Sequence, residues 1–182
     1  MGKKDAAMEI RLLGPEDAGR YKEIRLKALQ TSPEAYSASY EEELAMSLEE
    51  WNRRLAANEH TFTFGAILKS RLAGIATLVL GQKKKLAHRA QIVAVYVAPE
   101  TRGKGLAKQL MTEAIKKAKE TERVEQIHLT VTASNEPARS LYAGLGFQTY
   151  GFDKQAIKLD SARYLDEELM VLYLDPPNPP IA

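Results

Sequence analysis

The sequence has no cysteine, which excludes disulfide frameworks, thiolate zinc sites and a cysteine nucleophile together and accords with a reducing compartment. Its three histidines, His60, His88 and His128, stand far apart in the chain, so a histidine-rich metal site is not expected. Net charge is scarce as well. Twenty-six Lys and Arg against 24 Asp and Glu leave +2, too little for a protein that coats a polyanion by bulk electrostatics. Any anion must be held by a local device. Long apolar runs are missing too: the longest, Leu72 to Leu80, is about half of what a membrane span needs. Behind Lys3 and Lys4 no apolar segment of the secretory kind follows, and Ala6 stands where a myristoylation signal wants Ser or Thr. The expectation is a cytoplasmic protein that needs no metal and no membrane.

What is present fits one packed core. The 182 residues are 45% hydrophobic and 27% charged, an ordinary globular balance at the length of one domain. We expect a single domain over 1–182, with its core at about 9–174 and a loose proline-rich tail over 175–182.

Glu9-Ile10-Arg11-Leu12 alternates at period two and predicts a strand, and Gly14-Pro15-Glu16-Asp17 is a turn and cap signal before Tyr21, Ile24, Ala28 and Leu29 at helical spacing. Thr31-Ser32-Pro33 ends that helix. The acidic segment Glu41-Glu42-Glu43 follows, and Ser47-Leu48-Glu49-Glu50 has capping-box spacing ahead of Trp51, Leu55 and Ala56. Phe62 to Leu68, Leu72 to Leu80 and Leu86 to Val97 read as consecutive antiparallel strands, with Lys83 to Lys85 on a solvated hairpin tip. The turn Arg102-Gly103-Lys104-Gly105 then opens a helix whose Leu106, Leu110, Ala114, Ile115 and Ala118 share a buried face. Gln126 to Thr132 returns as a strand, parallel to the one ending at Val97 by the crossover rule. Ser134-Asn135-Glu136-Pro137 caps a helix carrying Ala138, Leu141, Tyr142 and Leu145 and stopped by Gly146, and Phe147 to Leu159 and Glu167 to Leu174 finish as strands.

The glycine turn is the local anion device. A strand ending at Val97 and a helix starting near Gly105 leave free backbone N–H groups at a positive helix end, where glycine lets a phosphate or pyrophosphate approach. The alternative is a glycine-bearing turn with no ligand. Two phosphate motifs fail on inspection. A P-loop requires glycine where Ala98 sits and Ser or Thr where Gly105 sits, and a dinucleotide fingerprint starting at Gly103 requires a small residue at Lys108.

The pattern that remains, Arg102-x-x-Gly105-x-Ala107 after Val95-Tyr96-Val97-Ala98-Pro99, resembles motif A of the GNAT superfamily of acyl-CoA N-acyltransferases. Asn135-x-x-Ala138-x-x-Leu141-Tyr142-x-x-x-Gly146-Phe147 is similar to the second half of that family's signature. Thr31 to Tyr36 with Tyr40 to Glu43, and the ending Asp166-Glu167-x-x-Met170, are similar to segments common in bacterial members, so the resemblance covers about residues 9 to 174. It implies an α/β fold with a mixed, mostly antiparallel central sheet of about six or seven strands, helices on both faces, and a splay between the fourth and fifth strands.

By the same resemblance, the amides of Arg102, Gly103, Lys104, Gly105, Leu106 and Ala107 hold the pyrophosphate of acetyl-CoA, the acyl donor. Arg102, Lys104 and Lys108 are candidates for added charge there, or ordinary exposed cations. The pantetheine arm runs between the strands that splay apart, Val93 to Val97 and Ile127 to Val131, on backbone groups of Val95, Tyr96 and Val97, one of whose N–H groups polarises the thioester. Tyr142 is the implied general acid for the departing thiolate, or a packing residue beside the donor. Asn135 contacts pantetheine or simply caps its helix. Transfer needs a neutral amine, and a lysine-like amine with a pKa of about 10.4 costs roughly 4 to 5 kcal/mol to deprotonate at neutral pH. Gln91 stands where several relatives carry a glutamate base, leaving Glu41, Glu42, Glu43, His88, Asp166 and Glu167 as open replacements. Tyr36, Met46 and Trp51 are candidates for the acceptor side, or packing residues.

The implied activity is acetyl transfer from acetyl-CoA to a primary amine in a ternary complex. A non-catalytic acyl-CoA-binding module is the alternative. A nucleic-acid-binding domain using Lys83 to Lys85 and Lys116 to Lys119 lacks the aromatic signature and net charge for that role, so nucleic acid is not an expected partner. The acceptor stays open between a small-molecule amine and a protein or peptide amine. The resemblance also allows a homodimer.

Overall fold

The protein is described from a computed structural model covering residues 8–174. The tail expected over 175–182 lies outside the described residues. Seven strands form one sheet: β1 (Met8–Leu12), β2 (Thr61–Leu68), β3 (Arg71–Leu80), β4 (Arg89–Val97), β5 (Gln126–Thr132), β6 (Gln148–Lys158) and β7 (Tyr164–Tyr173). Their order across the sheet is β1-β2-β3-β4-β5-β7-β6, and β4 and β5 are the parallel pair in an otherwise antiparallel arrangement. Among the described residues five α-helices accompany it: α1 (Ala18–Thr31), α2 (Tyr40–Leu44), α3 (Leu48–Leu55), α4 (Leu106–Lys119) and α5 (Glu136–Gly144). This is the mixed α/β sheet that the motifs imply.

Alternation along β3 sorts the core into two layers. Ala76 and Leu78 join Leu110, Met111, Ala114 and Ala118 of α4, and Tyr142 of α5, in the larger cluster. Ile75 turns the other way, to Tyr21, Ile24 and Ala28 of α1 and Trp51 and Leu55 of α3. Helices thus cover both faces, each stapled by a few fully buried side chains. Burying one such as Leu110 or Ile127, both at 0% exposure, contributes about 1.5 to 3 kcal/mol. At Gly74 a Cβ would stand 3.0 Å from Leu110 Cδ1 and 3.0 Å from the Tyr96 carbonyl oxygen, so glycine is what lets α4 sit this close to the sheet.

Three elements differ from the expectation by more than a residue at an end. The acidic segment is itself a short helix, α2, because Ser39 and Glu42 cap each other reciprocally. The strand expected from Leu86 begins at Arg89, since Lys84–Leu86 turns as a 3-10 helix. The last strand begins at Tyr164 instead of Glu167, paired there with Lys158 of β6.

Candidate active site

Two irregularities open the middle of the sheet. Ile75 of β3 pairs with Tyr96 and Thr77 pairs with Val93, so Ala94 and Val95 face the single residue Ala76 and β4 bulges. Ala94 takes a φ of 54° there, a left-handed backbone that costs a non-glycine residue about 1 to 2 kcal/mol. In addition, among the described residues β4 and β5 pair only from Arg89–Gln91 to Gln126–His128. The splay therefore starts at Ile92 and Leu129. On β5 this is two residues later than the expected Ile127, because Ile127 and His128 still belong to the paired rungs.

The gap is a cavity of about 380 Å³ lined by Ile92 to Val95 on one strand and Leu129 to Thr132 on the other. Two β4 carbonyls are taken by side chains: Tyr36 Oη donates to the Val95 oxygen at 3.0 Å and Arg102 Nε donates to the Val97 oxygen at 3.1 Å. Tyr96 points its ring away, buried in the α1 layer, with its hydroxyl 2.9 Å from Thr31 Oγ1. Neither Tyr96 nor Val97 is among the residues that line the cavity.

Helix α5 supplies the wall on the α4 side through Asn135, Ala138 and Tyr142. Asn135 Oδ1 accepts from the Ala138 amide at 3.3 Å, the N-cap role open to it from sequence. Tyr142 is 6% exposed and its ring lies 6.1 Å from that of Phe147. Burial alone pushes its phenol up to about 12, so it stays protonated at any neutral pH.

Beyond the C-terminal end of β4 stands the glycine turn. Gly103 and Gly105 have φ of 76° and 75°, and Gly105 is the N-cap of α4 with no side-chain cap bond. A Cβ on either would meet nothing within 4 Å, so glycine is present for its backbone conformation and for the open approach to the amides behind it. Uncapped N–H groups at the start of a 14-residue helix can take an anion. Leu106 is buried in the core, while Lys104 lines a separate cleft with Lys27 and Arg71.

The α1 side carries the charges. Arg25 grips Glu43 with Nε to Oε2 at 3.0 Å and Nη2 to Oε1 at 3.1 Å, and Arg54 reaches the same carboxylate with Nη1 at 3.1 Å. Both arginines line the cavity with Tyr36 and, from β7, Glu167. Burial and the neighbouring Asp153 raise the Glu167 carboxyl above its ordinary value, against a bond from Thr130 that lowers it. Tyr36 is raised too, mainly by burial, and Arg25 opposes the shift from 4.7 Å over its ring.

None of the other candidates for the base, Glu41, Glu42, Glu43, His88 and Asp166, lines this cavity. Glu42 caps α2, Glu43 is enclosed by the two arginines, and Asp166 Oδ1 accepts from the Gln155 amide at 2.8 Å. Gln91 is exposed and lines a different cleft with Arg89, His128 and Tyr150; the His88 carbonyl accepts from Glu125 and Gln126. Trp51 is fully buried between Tyr21 and the Arg54 guanidinium, and Met46 packs on the α1 layer. Of the three suggested acceptor-side residues, Tyr36 alone lines the cavity. Sequence reasoning missed Arg25 and Arg54. A signal for Arg25 existed: it lies four residues from Tyr21 on the apolar face of α1, where an unpartnered charge would be costly.

The Acetyltransferase (GNAT) family pattern matches residues 24–147, and the chain belongs to that family. It is 29% identical over 120 residues to the L-amino acid N-acetyltransferase AaaT of Escherichia coli strain K12, covering 66% of this chain and 73% of that protein. Among solved structures it resembles the GNAT-family acetyltransferase from Streptococcus pneumoniae, with a TM-score of 0.81, 24% identity and coverage of 92% and 100% of the two chains. It also resembles yncA from Salmonella typhimurium, solved with its cofactor acetyl-CoA, with a TM-score of 0.75, 22% identity and coverage of 97% and 99%. The protein is an acetyl-CoA-dependent N-acetyltransferase. No helix among the described residues is long and apolar enough to cross a membrane.

Proposed function

We propose that residues 9–174 form one N-acetyltransferase domain that moves the acetyl group from acetyl-CoA directly to a primary amine inside the β4–β5 opening. The observation that carries this reading is a cavity bordered by Tyr142 on one side of the sheet and Glu167 and the Arg25–Arg54 pair on the other. The donor enters from the α4 side, its pyrophosphate on the amides of Arg102 to Ala107 and its pantetheine arm along Val95 to Val97. The uncapped start of α4 supports the first contact and the missing β4–β5 rungs support the second.

Glu167 is the base. Its carboxylate takes a proton from the incoming ammonium, and a raised pKa narrows the gap to the amine it must deprotonate. The freed nitrogen attacks the thioester carbon, the C–S bond breaks, and sulfur leaves as a thiolate facing the Tyr142 hydroxyl. Asn135 borders the same opening from the α5 N-cap. The reaction takes place in the cytoplasm and needs no metal.

The test is a two-substrate initial-velocity study with product mass. Intersecting lines and an amine heavier by one acetyl group are expected; parallel lines, or an acetylated protein that turns over, would contradict direct transfer.

A further inference from the structure

On the α1 side, the Arg25–Arg54 pair carries one more charge than the single carboxylate it grips. Arg25 and Arg54 share one carboxylate, Glu43. Arg25 is 7% exposed, and its Nη1, closed off from solvent, has no hydrogen-bond partner among the described residues. A buried donor left without an acceptor is a standing cost. Both guanidiniums are held in place: Arg25 lies over the Tyr36 ring at 4.7 Å and Arg54 over the Trp51 ring at 4.8 Å. Arg25 spends its Nε–Nη2 fork on Glu43, so the guanidinium edge left to suit a planar carboxylate is that of Arg54. Glu167 lines the same cavity from β7 and gives it one negative wall.

Resting on the transferase reading above, we propose that the acceptor is a free α-amino acid whose carboxylate is held by Arg54 and the charge of Arg25 while its amine faces Glu167. The arrangement matches a small zwitterion. A polyamine would bring a second cation against the surplus arginine charge. A lysine side chain has only methylenes beside its amine and a protein N-terminus has a neutral peptide group there, so neither brings an anion to the arginines. Arg25 and Arg54 thereby act as specificity residues that bind substrate without taking part in the proton transfers.

The experiment compares the common α-amino acids with their carboxamides and with diamines of similar length, by thiol release and product mass. The best amino acid should exceed its own carboxamide by about 10²-fold in kcat/KM, with diamines lower still. In Arg54→Gln that ratio should fall about tenfold, through KM more than kcat, since one charge-assisted contact is removed. Arg25→Lys, which keeps a cation against Glu43, should lower it as well; if that variant does not fold, the partly exposed Arg54 decides. A carboxamide or diamine used as well as the acid, or a ratio untouched by Arg54→Gln, would overturn the inference and leave the arginines as braces for Glu43. Thiol release from none of the amines, with acetyl-CoA bound, would overturn the transferase reading and this acceptor with it.

Discussion

Replacing Tyr142 by Phe separates the hydroxyl from the ring. The ring packs on Phe147 and is 6% exposed, so Phe keeps the buried surface and the variant should unfold within about 1 kcal/mol of the parent. The catalytic effect can be bounded. Burial holds the phenol at about 12, whereas a free thiol titrates near 8.5, a gap worth about 5 kcal/mol against complete proton transfer. As the proposed acid, Tyr142 would act mainly by donating a hydrogen bond to the sulfur as its charge develops. Hydrogen bonds to charged groups are worth about 1.5 to 3 kcal/mol, so kcat should fall about 10- to 100-fold with acetyl-CoA affinity nearly unchanged. Steady-state rates with acetyl-CoA and with thioesters of less basic thiols read this out, and the loss should shrink as the leaving group improves. An unchanged kcat, or an equal loss for every donor, would refute the assignment and return Tyr142 to a packing role.

Glu43→Gln should destabilise the fold by about 3 to 5 kcal/mol in chemical denaturation, because it leaves the Arg25 charge buried without its counter-ion. Glu167→Gln should lower turnover by about 10²- to 10³-fold. In the parent, kcat/KM should rise with pH along a limb centred above the ordinary carboxylate range, as the raised carboxyl ionises; a limb retained in the variant would remove Glu167 as the base. His128 is held down to about 4 by burial, Arg89 and His88. Its folded value lies below its unfolded one, so the stability it carries is complete above about 6.5 and is lost as pH falls toward about 4. Denaturant midpoints measured across that window should fall in the parent and flatten in His128→Asn.

Much of the architecture is local in the sequence. The β4–α4–β5 crossover, the glycine turn and the Asn135 cap are each specified by neighbouring residues, and each stands where the pattern puts it. The chemistry of the cavity is not local. Glu167 lines it because β7 inserts between β5 and β6, a sheet order that no periodicity encodes. The start of the splay depends on where parallel pairing stops, and the run Ala90 to Val97 looks uniformly strand-like across that point. The bulge at Ala94 is equally silent: alanine carries no signal for a positive φ. Glu41 to Glu43 shows how neighbours diverge, since Glu42 caps a short helix while Glu43 turns inward to two arginines that sequence distance separates from it by 18 and 11 positions.

The most direct test of the account is an acetyl-CoA titration of the parent and of Gly105→Glu, followed by thermal unfolding. At about 100 times Kd, ligand binding to the native state alone adds about 2.7 kcal/mol, which for a chain of this size is about 5 to 10 °C. NAD and ATP at equal concentration should give no such shift. Gly105→Glu has open space for its side chain but a φ of 75°, so it should fold with a loss of about 1 to 2 kcal/mol. Its acetyl-CoA shift should disappear, because a carboxylate then occupies the anion's approach to the α4 amides. An undiminished shift in the folded variant, or a larger shift with NAD or ATP than with acetyl-CoA, would contradict the placement of the donor on this turn.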